Sequence, residues 1–215
     1  MLPLCFSPDG LRQVLCVGAH CDDIEIGCGG TVAELGRRFP GAQFQWVVLS
    51  ADDVREPETR KAAARLHAAG AAPRVEVARF RGSYFPSCSG ELKDYFESLK
   101  ARVSPDLILT HRLEDRHQDH RVVAELTWNT FRHHTVLEYE IPKYEGDLGQ
   151  PNFYVPLEPA TVDLKVQTLM DCFPSQRHRP WFTGDLFRAQ LRLRGIECNA
   201  PSGFAEALHA RKLVV

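Results

Sequence analysis

The sequence predicts an α/β fold: a three-layer sandwich built around a mostly parallel sheet. Three observations carry that expectation. Short apolar runs alternate with segments of helical periodicity, in βαβα order. The runs are nearly continuously apolar, as strands covered by helices on both faces must be. The chain has 215 residues, 44% hydrophobic and 25% charged, which suits one globular domain over residues 1–215 with a sizeable core.

The first strand is Val14–Gly18, followed by a glycine-rich turn and a helix over Gly30–Arg38. Phe44–Ser50 and a helix over Glu58–Ala69 repeat the unit, and Val75–Phe80 with Gly90–Val103 repeats it again. Leu107–Thr110 leads to a helix over Asp119–Phe131, then to a fifth strand at Thr135–Ile141 and a short sixth at Asn152–Val155. Pro142, Gly146, Gly149, Pro151, Pro156 and Pro159 mark a long loop over residues 141–160. A helix around Asp163–Cys172 follows. A last one, near Gly184–Arg194, turns Leu186, Phe187, Gln190, Leu191 and Leu193 inward. No internal repeat is visible, and the last ~60 residues are too few for a core of their own.

Charge and composition exclude several classes. Lys plus Arg number 26 and Asp plus Glu 28, a net charge of −2, so neither a nucleic-acid partner nor a membrane surface is indicated. The N-terminal residues lack a basic segment followed by an apolar one, so no signal peptide is expected. No apolar stretch approaches the ~18 residues of a membrane span. Seven scattered cysteines without CxxC spacing read as reduced thiols of a cytoplasmic protein.

Open α/β sheets bind ligands at the carboxyl ends of their strands. Two clusters of polar side chains fall there. His20, Asp22 and Asp23 follow the first strand, and His117-Gln118-Asp119-His120 follows Leu107–Thr110. A catalytic zinc keeps three protein ligands and one open position, and His20, Asp23 and His120 supply such a set. One Zn2+ per chain is the expected cofactor, and the same set also accepts iron, cobalt or nickel. Adjacent Asp22 need not point the same way as Asp23, so it can face the attacking water as general base. His117 can protonate a leaving amine or stabilise the tetrahedral oxyanion, and Asp119 can hold His117 or a ligating histidine in its tautomer. Asp115 and Glu25 are candidates for a supporting layer. Gly27, Gly29 and Gly30 allow close backbone approach to the site and open the helix behind it.

The stretch Ala19-His20-Cys21-Asp22-Asp23-Ile24-Glu25-Ile26-Gly27-Cys28-Gly29-Gly30-Thr31 resembles the AHPDDxExGCGGT signature of the LmbE-like, or PIG-L, deacetylases. His117-Gln118-Asp119-His120 is similar to the HPDH motif of that family, and Arg55, Glu58, Ala62-Ala63 and Leu66 fit its R-x-x-E-x-x-x-A-A-x-x-L pattern. The resemblance covers roughly residues 13 to 140. It implies a Rossmann-like fold and a zinc-dependent N-deacetylase acting on N-acetylglucosamine units of a conjugate. By motif position it implies His20, Asp23 and His120 as zinc ligands, Asp22 as base, His117 as acid or oxyanion stabiliser, and Asp119 as their orienting group. Cys21 and Gln118 stand where the family has proline, which leaves the ligand positions intact and softens both loops.

Four residues are candidates for reading the substrate. Arg55 matches a family position associated with substrate. Tyr139 opens the long loop, where polar and aromatic side chains suit a sugar. Arg177 and His178 lie in Ser175–Phe182, which with Arg179 and Trp181 suits an anionic group beside a sugar face, or a contact between copies of the chain. The expected partner is a small N-acetylated amino sugar or glycoconjugate, and a homo-oligomer is left open. Competing readings are an amidase on a thiol conjugate or other N-acyl group, a non-hydrolytic Rossmann-like nucleotide-binding protein, and a metal-binding subunit without catalysis. The nucleotide reading fits poorly, because acidic side chains occupy the phosphate position and no GxGxxG is present.

Overall fold

The computed structural model describes residues 6, 7 and 10–213. Cys5 and most of the N-terminal segment read above lie outside the described residues. Along the chain come β1 (Gln13–His20), α1 (Asp23–Arg38), β2 (Gln43–Ser50), α2 (Arg55–Leu66), β3 (Arg74–Val77), α3 (Ser89–Arg102), β4 (Leu107–His111) and α4 (Gln118–Thr130). Then follow β5 (Thr135–Tyr139), β6 (Phe153–Pro156), α5 (Pro159–Cys172), α6 (Gly184–Glu197) and β7 (Ala205–Ala210).

The seven strands form one sheet in the order β3-β2-β1-β4-β5-β7-β6. β1 to β5 are parallel, whereas β7 runs antiparallel to both β5 and β6. Alternate side chains of β1 serve opposite layers, as the pleat requires. Val14 and Cys16 pack with Trp46, Leu66 and Leu169 on the face carrying α1, α2 and α5. Leu15, Val17 and Ala19 pack with Leu92, Phe96 and Val123 on the face carrying α3 and α4. Burial on both faces explains why this strand reads as an unbroken apolar run. The predicted α/β sandwich is the observed fold.

Three local differences have physical causes. β7 was not expected, because Ala205-Glu206-Ala207-Leu208-His209-Ala210 lacks the β-branched and aromatic residues that mark strands; pairing on both sides supplies what propensity does not. Leu193 was expected to face inward on α6 but is 51% exposed, and the inner positions fall to Phe187, Leu191 and Arg194. There the Arg194 guanidinium is neutralised by a two-point hydrogen bond to Glu140.

The third difference lies in α1. The sequence places a glycine-rich turn before a helix at Gly30. The structure makes Asp23–Arg38 helical throughout, except for a break at Cys28 (φ −144°, ψ 18°). The backbone N–H groups of Gly30 and Thr31, freed by that break, donate to the Glu206 carboxylate of β7. Lys165 of α5 donates to Ile26 O at 2.6 Å and to the same carboxylate. Gly30 is required for this, since a Cβ there would lie 2.9 Å from Glu206 Oε1 and 2.6 Å from Leu157. The glycines thus admit neighbouring side chains to the helix rather than backbone to the site.

Two outcomes test this framework. Glu206→Ala leaves Lys165 buried without its counter-charge and should lower unfolding stability by about 3–5 kcal/mol; a loss below about 1 kcal/mol in a denaturant titration would refute the role given to Glu206. His67 is 3% exposed, accepts from Trp46 Nε1, and burial depresses its pKa to about 4. The folded state therefore resists its protonation. Stability from this group is complete above pH 6.5 and is lost as pH falls from there toward 4, by on the order of 3 kcal/mol. His67→Gln, which keeps an acceptor for Trp46, should flatten melting temperature across that window; an unchanged slope would exclude His67 as its source.

Candidate active site

Strand ends converge where the order of the sheet reverses, between β1 and β4. β1 ends in His20, β4 ends in His111, and α4 begins just past His117, so sheet geometry alone delivers three imidazoles to one place. His120, one turn into α4, is the fourth.

Only Cys21 and Asp22 separate β1 from α1. The tight turn puts Asp22 in the left-handed region at φ 90°, which an aspartate tolerates better than most residues. This geometry separates the adjacent carboxylates. Asp22 Oδ1 lies 3.1 Å from Arg55 Nη2. Asp23 turns the other way: Oδ2 accepts the His20 backbone N–H at 2.7 Å, and Oδ1 lies 3.5 Å from His120 Nε2. Their environments also push their acidities apart. Burial raises the Asp22 carboxyl to about 7 against the opposing pull of Arg55. Burial also acts on Asp23, but His120 and His111 outweigh it and hold that carboxyl well below the usual range.

Each of the two expected histidine ligands is held by a carboxylate through one ring nitrogen. His20 Nε2 lies 2.9 Å from Asp119 Oδ2, and His120 Nδ1 lies 3.0 Å from Asp115 Oδ2. Asp119 is in turn fixed by the backbone N–H groups of Ser83 and Phe85, and Asp115 by Lys143 Nζ at 2.9 Å. Asp119 therefore serves His20, the second of the two roles foreseen for it. His117 Nδ1 accepts the Asp119 backbone N–H at 3.2 Å, which leaves the proton of the neutral ring on Nε2. Burial, with His20 adding to it, lowers the pKa of His117 and favours that neutral form.

Two groups of three side chains bring donor atoms within 4.8 Å of one another: His20, His117 and His120, and Asp23, His111 and His120. The expected trio of His20, Asp23 and His120 is spread across both. His111 was missed in the sequence, although it stands directly after an apolar strand, just as His20 does. Glu25 is buried, donates nothing to the centre, accepts from Thr59 Oγ1, and burial raises its carboxyl to about 8.

Residues 15–131, just over half the chain, match the sequence family described as PIG-L, GlcNAc-PI de-N-acetylase. The chain belongs to the PIG-L family. Solved structures share the fold. A 4-carboxy-2-hydroxymuconate hydratase from Pseudomonas putida superposes with a TM-score of 0.74 at 19% identity, over 95% of this chain and 98% of that one. An N,N'-diacetylchitobiose deacetylase from Pyrococcus horikoshii gives 0.68 at 17%, over 93% and 84%. A teicoplanin deacetylase in a zinc-inhibited form gives 0.72 at 16%, over 93% and 97%. At these identities the likeness is one of fold.

Within this PIG-L protein the expected substrate residues fare differently. Arg55 lies at the centre, paired with Asp22 and donating to Cys21 O. Tyr139 does not line an opening: it is fully buried, donates to Val17 O at 2.7 Å, and fills the space over Gly27, where a Cβ would lie 2.1 Å from its ring. Although it ends β5 at the carboxyl edge, its packing over Gly27 makes it a core residue, which corrects the sequence reading. Arg177 is tied to Met170 O at the end of α5, and His178 is exposed. The neighbouring Arg179 has its Nε held by Gln176 and opposes the rise of the Asp22 carboxyl, so it is the arginine of this segment whose charge reaches the site. That segment is docked on α2 through Ser175, which donates to Glu58 by its backbone N–H at 3.0 Å and by its hydroxyl.

The revised place of Tyr139 is testable. Tyr139→Phe should leave KM within about twofold while costing about 1 kcal/mol of stability, the worth of one buried hydrogen bond. A tenfold rise in KM at unchanged stability would restore Tyr139 to the substrate site.

Proposed function

We propose that the chain is a zinc-dependent N-deacetylase that hydrolyses the acetamido group of an amino sugar or its conjugate. The observation that carries this reading is the pairing of His20 with Asp119 and of His120 with Asp115 around an ionised Asp23. Ligating histidines regularly hold a carboxylate through their second nitrogen. The spacing of one donor pair also fits the ion. Two donors at zinc-bond length in a tetrahedral centre lie about 3.3 Å apart, and Asp23 Oδ1 and His120 Nε2 are 3.5 Å apart. In this reading His20, Asp23 and His120 hold the metal, and the same set would take iron, cobalt or nickel. When bound, zinc supplies Lewis acidity toward water and an amide carbonyl.

The remaining steps belong to the chain's own residues. Asp22 removes a proton from the water that attacks the amide carbonyl. Its pKa of about 7 makes it ionised enough to accept that proton and acidic enough to return it to the leaving amine. His117, neutral with its proton on Nε2, donates a hydrogen bond to the developing oxyanion. Arg55 holds the Asp22 carboxylate in place. Arg179, with His178 and Arg177 beside it, offers positive charge to an anionic part of the substrate.

Among the described residues no helix is long and apolar enough to cross a membrane. An amidase acting on a thiol conjugate would use the same groups, and a panel of N-acyl substrates distinguishes the two by which acid and amine are released.

Metal content and acetate release, measured together, test the proposal. Wild type should carry about one divalent ion per chain, lose activity on chelation and regain it with zinc. His120→Ala should bind none. Asp22→Asn should keep the metal and lose about 10²–10⁴ in kcat, and His117→Ala should lose a similar factor. Full turnover by the chelated protein would refute the metal reading; wild-type turnover by Asp22→Asn would refute the base.

A further inference from the structure

His111 has no part in the steps above, yet it is completely buried at the centre of the site. β1 and β4 pair from Val14–Leu107 to Cys16–Leu109 and no further. Beyond that register the strands diverge, as they must where the strand order reverses, and the His111 ring occupies the gap. The Ala19 backbone N–H, which has lost its strand partner, donates to His111 Nε2 at 2.9 Å. The ring stacks on His120 with centroids 3.9 Å apart and planes 19° apart, and Tyr139 lies against it at 4.8 Å. It is therefore clamped from the backbone and from neighbouring rings.

Its position relative to Asp23 gives this clamp a consequence. His111 Nε2 lies 3.2 Å from Asp23 Oδ2, a packing contact without a hydrogen bond because Nε2 accepts from Ala19, while Oδ2 accepts the His20 backbone N–H. The ring thereby walls one side of Asp23, whose Oδ2 lies 3.4 Å from His20 Nδ1 and whose Oδ1 lies 3.5 Å from His120 Nε2. The Nε2 lone pair of His111 is already used by Ala19, so it is not free for a metal ion. Nδ1 is buried with no hydrogen-bond partner among the described residues, a burden on stability that an apolar side chain of similar size would avoid. A polar ring retained at such a cost points to a requirement other than packing.

We propose that His111 is a positioning residue of the metal centre: its ring fills the gap beside Asp23 and so sets the orientation of that carboxylate between His20 and His120, it holds the plane of the His120 ring by stacking, and it is not itself a ligand. This rests on the reading of Asp23 and His120 as ligands.

The test is zinc affinity of the full chain, read by competition with a chromophoric chelator, with circular dichroism and melting of the metal-free proteins as folding controls. His111→Leu should bind zinc about 10–100-fold more weakly than wild type, the usual size of a supporting-residue effect, with kcat lowered and KM little changed. His111→Gln, whose side-chain oxygen can accept from Ala19 while its amide faces Asp23, should recover most of the affinity. Wild-type affinity in His111→Leu would overturn the proposal while leaving the ligands standing. Complete loss, equal to that of His120→Ala, would make His111 a ligand and overturn it too. Absence of zinc binding by wild type would remove the ligand reading and this inference with it. Should His111→Leu fail to fold, the wild-type protein loaded with cadmium-113 still decides: imidazole nitrogens of His20 and His120 should show coupling to the metal and His111 none, and a coupled His111 would refute the positioning role.

Discussion

The Glu206 carboxylate governs the geometry on which the site depends. It lies at the junction of β7, α5 and the interrupted α1, accepting from Gly30 and Thr31 and pairing with Lys165. An interrupted helix leaves N–H groups on one side of the break and carbonyls on the other, all of them costly to bury unpaired. Glu206 satisfies the first set and Lys165 reaches the second through Ile26 O. A buried ion pair of this kind is a weak source of stability against an apolar alternative, but it demands one arrangement. Here it frees the first turn of α1, Asp23–Gly27, from the axis of the rest, and Asp23 is the first residue of that turn. The side chains gathered at the centre lie between positions 20 and 143, while the groups that fasten their backbone lie at 165 and 206.

Electrostatics then distributes four carboxylates among distinct tasks. Asp22, Asp23, Asp115 and Asp119 all lie close together and are all buried, a configuration that would be untenable if each were left to itself. Asp115 and Asp119 are each held ionised by a histidine, and Asp23 by two. At Asp22 alone the positive neighbours do not outweigh burial. The left-handed turn that separates Asp22 from Asp23 is therefore also what separates a carboxyl of raised pKa from one of lowered pKa. Lys143 belongs to the same arrangement, because its ammonium on Asp115 Oδ2 offsets a charge that His120 shares.

Much of this was legible in the chain, for a reason visible in β1. A strand buried on both faces must be apolar throughout, so its end is sharply marked, and the first polar residues after it fall at the binding edge. That logic found His20, Asp22 and Asp23, and the corresponding logic after β4 found Asp119 and His120. It passed over His111 because the apolar run was ended one residue early, at Thr110, and a strand-terminal histidine reads like any other polar boundary. β7 was invisible because its stability comes from two neighbours rather than from its own residues. Tyr139 was misplaced because the carboxyl end of β5, unlike that of β1, is covered by packing against Gly27. Arg177 and Arg179 differ only in what they touch, which depends on Gln176 and Met170 and on a docking contact through Glu58 that no local pattern announces.

The fold does not by itself choose the reaction, since deacetylases and a hydratase share it. In the proposed deacetylase that choice falls to how the strand-end residues are tuned. A group that must take a proton from water and then give it to an amine is best when its pKa lies near the working pH, because a stronger base would withhold the proton and a weaker one would not collect it. Burial raises the Asp22 carboxyl to about 7, and Arg55 at 3.1 Å opposes that rise. In the proposed mechanism Arg55 thus helps to set the acidity of the base. A side chain that the sequence offers as a substrate contact is placed where it also balances the acidity of its neighbour, and a substrate anion drawn to Arg55 would compete with Asp22 for it. Arg179, whose Nε is held by Gln176, also opposes the rise of the Asp22 carboxyl, more weakly than Arg55, so the acidity of Asp22 does not rest on Arg55 alone.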